Sequence, residues 1–106
     1  MNIESDSNLV LNEGVLNCKN CGFEYLHREK TEAFERTEDA AFGLHVKIEN
    51  DSATTDTCLE LNPSPRRDGL TIEFSCEGCK ERSVLSIYQH KGYTLLSYGV
   101  KSWART

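Results

Sequence analysis

No long hydrophobic run occurs in this chain. Its 106 residues are 38% apolar, with a mean hydropathy of −0.54, and no stretch approaches the ~20 apolar residues that cross a bilayer. No membrane span is expected. The opening Met1-Asn2-Ile3-Glu4-Ser5-Asp6 lacks the positive n-region and apolar h-region of a secretory signal, so a cytoplasmic chain is expected. Catalytic signatures are missing as well: there is no glycine-rich phosphate loop, no nucleophile elbow and no three-ligand pattern leaving a metal position open. The many acidic residues read as a solvated charge run. These absences argue against an enzyme. The length suits one domain, with a modest core.

What the chain does have is cysteine in a pattern. Cys18-Lys19-Asn20-Cys21 is followed by Gly22, and Cys76-Glu77-Gly78-Cys79 repeats the spacing far downstream. Each Cys-x-x-Cys turn aims two sulfurs at one point, and glycine at or after the turn lets the backbone fold over them. Four thiolates in two such pairs match one closed, structural Zn2+ site. Iron also suits four thiolates, and spacing alone does not choose between the metals. Redox chemistry would need a helix N-terminus to lower a thiol pKa, and neither pair clearly opens a helix. The chain has five cysteines, an odd number that argues against a disulfide framework. Cys58 is left over and is expected as a small buried hydrophobe.

Residues 1–12 are polar and acidic and are expected as a disordered tail, residues 13–100 as a single zinc-binding β domain, and 101–106 as a second tail. Residues 14–17 and 23–27 are expected to pair as a hairpin with the first Cys pair at its tip. Residues 29–41 are read as extended chain with a loop, against a competing helical spacing of Ala33, Phe34, Thr37, Ala40 and Ala41. Phe42, Leu44, Val46 and Ile48 alternate with polar residues, which predicts a strand over 42–49. His45 falls on its polar side and is expected in solvent. A short strand is expected at 57–61. Asn62-Pro63-Ser64-Pro65 forms a rigid loop. Strands follow at 70–75, 83–89 and 93–100, the last two joined as a hairpin. The predicted apolar face draws on Leu44, Val46, Ile48, Leu70, Ile72, Phe74, Leu85, Ile87 and Leu95. The fold class is mostly β, an antiparallel sheet built from hairpins.

Two knuckles flanked by strand-like sequence, at Cys18, Cys21 and Gly22 and at Cys76, Gly78 and Cys79, resemble the zinc ribbon. That resemblance implies two hairpins meeting at the metal, here with a long insertion of 54 residues between Cys21 and Cys76. The segments at 18–25, 62–70 and 89–92 also look like a group of small uncharacterised bacterial and phage proteins. That similarity implies a β-rich zinc-binding domain and no activity.

Charge divides the chain. Residues 1–61 carry thirteen acids against five Lys and Arg, net −8, and residues 62–106 carry four acids against seven, net +3. An overall charge of −5 disfavours non-specific duplex DNA, whose binding depends on phosphate neutralisation. Any anion-facing or partner site belongs in the basic half, where Arg66 and Arg67 sit in the proline-stiffened loop and His90 and Lys91 in a turn. Polar turn residues and a solvated arginine loop are the plainer reading of the same positions. The leading functional expectation is an interaction module for a protein or for single-stranded or structured nucleic acid. Tyr25, Tyr88, Tyr93, Tyr98 and Trp103 offer stacking surfaces if exposed, though core packing explains most of them better. The competing expectation is an enzyme or accessory subunit with a polar site at Arg66, Arg67 and His90. His27 follows the first knuckle's return strand and could approach the metal, but with four cysteines available it is not needed as a ligand. The sequence sets no oligomeric state.

Overall fold

A computed structural model describes residues 11, 12 and 14–101. Those residues form eight strands and no helix: β1 Leu11–Asn12, β2 Val15–Leu16, β3 Leu26–Glu35, β4 Leu44–Glu49, β5 Ser52–Asp56, β6 Gly69–Cys76, β7 Arg82–His90 and β8 Tyr93–Val100. β1 and β2 make a small ribbon, and the other six form one antiparallel sheet in the order β5-β4-β3-β6-β7-β8. The mostly-β, hairpin-built expectation holds. Two of its turns are two-residue loops with both residues at positive φ, Asn50-Asp51 between β4 and β5 and Lys91-Gly92 between β7 and β8. Their backbone matches the right-handed twist of the strands they join.

Register sorts the side chains into two unlike faces. On one face, two rows run across all six strands. The first is Ala53, Ile48, Thr31, Ile72, Leu85, Tyr98, and the second is Thr55, Val46, Ala33, Leu70, Ile87, Leu96. Neither row contains a charge. The other face aligns Asp56, His45 and Phe34 with Gly69, places Lys47 and Glu32 beside Thr71, and sets Lys30 against Glu73. The loop over residues 57–68 lies on this second, charged face. A Cβ on Gly69 would come within 2.2 Å of Asn62 Oδ1 and 2.7 Å of Pro63 Cδ, so only glycine admits the loop there. Ser64 fastens it, accepting the Arg66 and Arg67 N–H groups and donating to the Gln89 carbonyl at 2.6 Å.

Burial therefore runs against polarity. Glu32, Glu73 and His45 are 5%, 6% and 8% exposed, whereas Leu44 and Ile48 are 46% and 42% exposed. The buried apolar side chains among the described residues are Cys18, Phe34, Cys76 and Tyr98. The charges below the loop are paired. Glu73 accepts from Arg82 at 2.7 Å and Lys101 at 3.0 Å, with Lys30 at 3.8 Å. Burial raises the Glu73 carboxyl, but the Lys101 and Arg82 hydrogen bonds and the Lys30 charge outweigh it and hold the group below 4.5.

Several sequence expectations change. The long apolar alternation is correct, but Leu95 opposes Tyr88 on the charged face and Leu96 takes its place. His45 is not in solvent. Its Nε2 meets Glu32 at 2.8 Å, its Nδ1 meets Asp56 at 2.9 Å, and Phe34 stacks on the ring at 4.6 Å. The two carboxylates satisfy both ring nitrogens, which makes the burial tolerable. Residues 29–35 are extended, and 30–34 pair on both sides, because the Glu32/Phe34 alternation finds partners in β4 and β6. Phe42 lies outside its strand, which starts at Leu44. The strand expected at 57–61 is absent, replaced by β5 just before it, and Cys58 is an exposed free thiol in the following loop. Residues 14–17 do not pair with 23–27 as a ladder. β2 pairs with β1, and β3 begins at Leu26 against β6. Of the two expected tails, residues 1–10 and 102–106 lie outside the described residues. No helix among the described residues is long and apolar enough to cross a membrane.

Candidate metal centre

The four cysteines of the two pairs converge. All four Sγ atoms lie within 4.8 Å of one another, with Cys18 to Cys79 at 3.7 Å and Cys21 to Cys76 at 3.6 Å. A tetrahedral ion with metal–sulfur bonds of about 2.3 Å sets its sulfurs about 3.8 Å apart. All five cysteines of the chain are free thiols. The donor set fits a tetrathiolate metal ion, and the sequence pattern located each ligand.

Both knuckles have one backbone design. The Gly22 N–H donates to the Cys18 carbonyl at 2.9 Å, and the Lys80 N–H donates to the Cys76 carbonyl at 3.2 Å. The Cys18 N–H reaches the Phe23 carbonyl at 2.8 Å, and the Cys76 N–H reaches the Glu81 carbonyl at 3.1 Å. Backbone N–H groups then aim at the first sulfur of each pair: Asn20 and Cys21 at Cys18 Sγ, at 3.3 and 3.5 Å, and Gly78 and Cys79 at Cys76 Sγ, at the same two distances. Such donors stabilise thiolate charge and orient the ligands. The knuckles differ in their mounting. The second caps the β6–β7 hairpin, while the first joins β2 to β3 and is tied down by Asn17 Nδ2, which donates to the Gly22 carbonyl at 2.8 Å.

Surrounding groups complete the setting. Tyr98, buried on β8, donates its hydroxyl to the Asn17 carbonyl at 2.6 Å. Buried Ser83 accepts the Lys19 N–H at 3.2 Å and lies 4.0 Å from Cys18 Sγ. The Asn20 side chain donates to Cys79 Sγ at 3.4 Å. That bond, with the Glu81 backbone hydrogen bond, brings the Cys79 thiol down to about 6. A backbone hydrogen bond with Phe23 lowers the Cys21 thiol, but desolvation and three neighbouring sulfurs push it up to about 12. The cluster cannot carry four thiolates without a cation to offset them. His27 does not serve as a ligand here, since it pairs with Glu77.

The remaining sequence-proposed residues stand elsewhere. Arg66 is engaged by acids: its Nε and Nη2 reach the two Asp39 oxygens at 2.9 and 2.8 Å, and Nη2 reaches Glu38 at 2.8 Å. Arg67 Nη1 reaches Glu38 at 3.4 Å. His90 ends β7 with its Nδ1 buried and unpartnered among the described residues, and Lys91 opens the turn to β8. A shallow cavity of about 200 Å³ lies on the charged face instead, lined by Lys30, Glu32, Leu61, Thr71, Glu73, Val84 and Lys101. Sequence reasoning missed this cluster. Only the acid–base alternation of Lys30 and Glu32 could have signalled it.

In comparison with known proteins, no family model matches the chain, and no curated protein or solved structure matches it.

Proposed function

We propose that the chain is a zinc-stapled β-sheet domain that works as an interaction module for a protein partner, and not as an enzyme. The observation that carries this is the four-sulfur cluster. Cys18, Cys21, Cys76 and Cys79 lie close enough together to take every position of a tetrahedral ion, which would leave none for water or substrate. Zinc is favoured over iron because it binds four thiolates in closed structural sites without redox chemistry. The likeness to zinc ribbons then rests on the paired knuckles, since only the second knuckle caps a hairpin of the main sheet.

A protein partner is favoured over nucleic acid by the state of the arginines. The Arg66 and Arg67 forks already face Glu38 and Asp39, so phosphate would have to displace carboxylates that bind the same donors. Native mass spectrometry with elemental analysis tests the metal. One zinc per chain supports the reading, and clearly less than one from zinc-sufficient cells refutes it. A titration against single- and double-stranded nucleic acid at two salt concentrations tests the partner class. No binding is expected, and tight binding lost in Arg66→Ala/Arg67→Ala would replace protein with nucleic acid as the partner.

A further inference from the structure

We infer that the cavity on the charged face binds a small aliphatic α-amino acid, its ammonium at Glu32 and its carboxylate at Lys30. The site shares no residue with the metal centre and does not depend on the module reading. Register builds its floor. Lys30, Glu73 and Val84 stand side by side on β3, β6 and β7, and Glu32 pairs with Thr71 in the next row. A bulge at Glu29 sets this up. Ladder pairing passes from Arg28–Phe74 straight to Lys30–Glu73, so the extra residue leaves Arg28 on the opposite face and brings Lys30 against Glu73. Arg28 meets Thr31 on that other face at 3.1 Å. Lys101, just after β8, and Leu61 of the 57–68 loop complete the walls.

One donor and one acceptor in the cavity are unused. Glu32 gives Oε2 to His45 at 2.8 Å, while the nearest cation to its Oε1 among the described residues is the Lys30 ammonium, at 3.8 Å. Lys30 stands equally far from Glu73, at 3.8 Å, beyond hydrogen-bond length from either acid. Neither Lys30 Nζ nor Glu32 Oε1 makes a hydrogen bond among the described residues. Their side chains are only 20% and 7% exposed, so leaving both unmet is costly. Glu73, by contrast, is already filled by Arg82 and Lys101.

The adjacent opposite charges select the ligand. A simple anion at Lys30 would meet the Glu32 carboxylate, and a simple cation at Glu32 would meet the Lys30 ammonium. A zwitterion satisfies both with charge-assisted hydrogen bonds. An α-amino acid carries its two charges on one carbon, close enough to engage this pair together, and Thr71 adds a hydroxyl. At about 200 Å³ the cavity is smaller than the ~300–1,000 Å³ sites of drug-sized ligands, which excludes nucleotides and large cofactors. Its remaining walls are aliphatic. Val84 lines it, and Leu61 is 63% exposed beside it, so a branched apolar side chain gains by covering both.

The test is amide-correlation NMR of the full, isotope-labelled, zinc-loaded chain titrated with L-leucine to about 20 mM, a range suited to so small a ligand. Saturable shifts are expected at Lys30, Glu32, Thr71 and Val84, with intermolecular NOEs from the ligand methyls to the Leu61 and Val84 methyls. N-acetyl-leucine lacks the ammonium and leucinamide lacks the carboxylate, and each should bind about tenfold more weakly or worse. Lys30→Met keeps the stem but removes the ammonium and should weaken leucine as much, with zinc content and circular dichroism unchanged. Lys91→Met, in the β7–β8 turn, should bind like the wild type. Leu61→Ala, at an exposed loop position, should abolish the preference for leucine over glycine. The wild-type NOEs decide the case even if a substitution disturbs the fold. Absence of saturable shifts overturns the inference, as do shifts without these NOEs or leucine binding that survives Lys30→Met. Equal binding of leucinamide or N-acetyl-leucine also overturns it, since the site would then read a single charge.

Discussion

Gly22 and Lys80 hold the same left-handed position in the two knuckles, with φ of 83° and 70°, and each N–H closes the turn onto the first cysteine carbonyl. Glycine takes this conformation freely, whereas a side chain costs roughly 1–2 kcal/mol. The two halves of the metal site therefore differ in backbone strain although their hydrogen bonds match.

Lys80→Gly should relieve that strain. Part of the gain is lost to the freer unfolded chain, so the net stabilisation should be about 0.5 kcal/mol. Gly22→Ala should destabilise by about 1 kcal/mol or more. Urea unfolding of the zinc-loaded proteins, compared at equal m-values, checks both.

Removal of the metal should be far more damaging. A tetrathiolate zinc site contributes on the order of 10 kcal/mol to folding, comparable with the whole stability of a small domain. Chelation, or Cys76→Ser, should unfold the chain, seen as loss of strand signal by circular dichroism. Cys58→Ser, at the exposed thiol in its loop, should leave zinc content and melting temperature unchanged.

The buried His45–Glu32 contact should behave as a unit. His45→Phe strands the Glu32 carboxylate, which then has, among the described residues, only Lys30 at 3.8 Å, and should cost about 3 kcal/mol. Adding Glu32→Leu removes the orphaned charge and should recover most of that loss. A double-mutant cycle in urea measures the coupling, and strictly additive losses would contradict it.

Glu73 should make the fold acid-sensitive. Its folded pKa lies below 4.5, so folding favours its ionised form. The stability it contributes is complete above that value and fades as pH falls through the folded pKa. Glu73→Gln should cost about 2 kcal/mol near neutral pH, and its deficit against the wild type should shrink as pH drops below 4.5. Urea midpoints of both proteins across that range, with zinc saturation monitored, check the sign.

The sequence made the metal ligands and the long strands legible because both are local signals. Cys-x-x-Cys spacing encodes a turn, and Leu70, Ile72 and Phe74 reveal period two within one segment. What could not be read was which side of the sheet becomes covered. Alternation assigns Val46 and His45 to opposite faces but does not say where the 57–68 loop will lie. Its approach to Gly69 buries the charged side, and His45 with it. β5 escaped notice because Ser52–Asp56 is exposed along its length and has no apolar rhythm. The first knuckle's hairpin was misassigned because β3 finds its ladder partner in β6, some fifty residues away.

A metal held by the two knuckles would also be a ring closure. Bridging Cys21 to Cys76 encloses the 54 residues between them, and with them β3, β4, β5 and most of β6, while β7 and β8 stay outside. Tying off a loop of that length removes about 4 kcal/mol of chain entropy from the unfolded ensemble. The hairpins β6–β7 and β7–β8 need no such closure, since their contacts are local, whereas β3–β6 pairing must wait for the distant ends to meet. An ion captured early by both knuckles would bring those ends together and speed the slow pairing. One captured late would act only as a lock that retards unfolding. Refolding rates with and without the ion would reveal which of the two roles it takes.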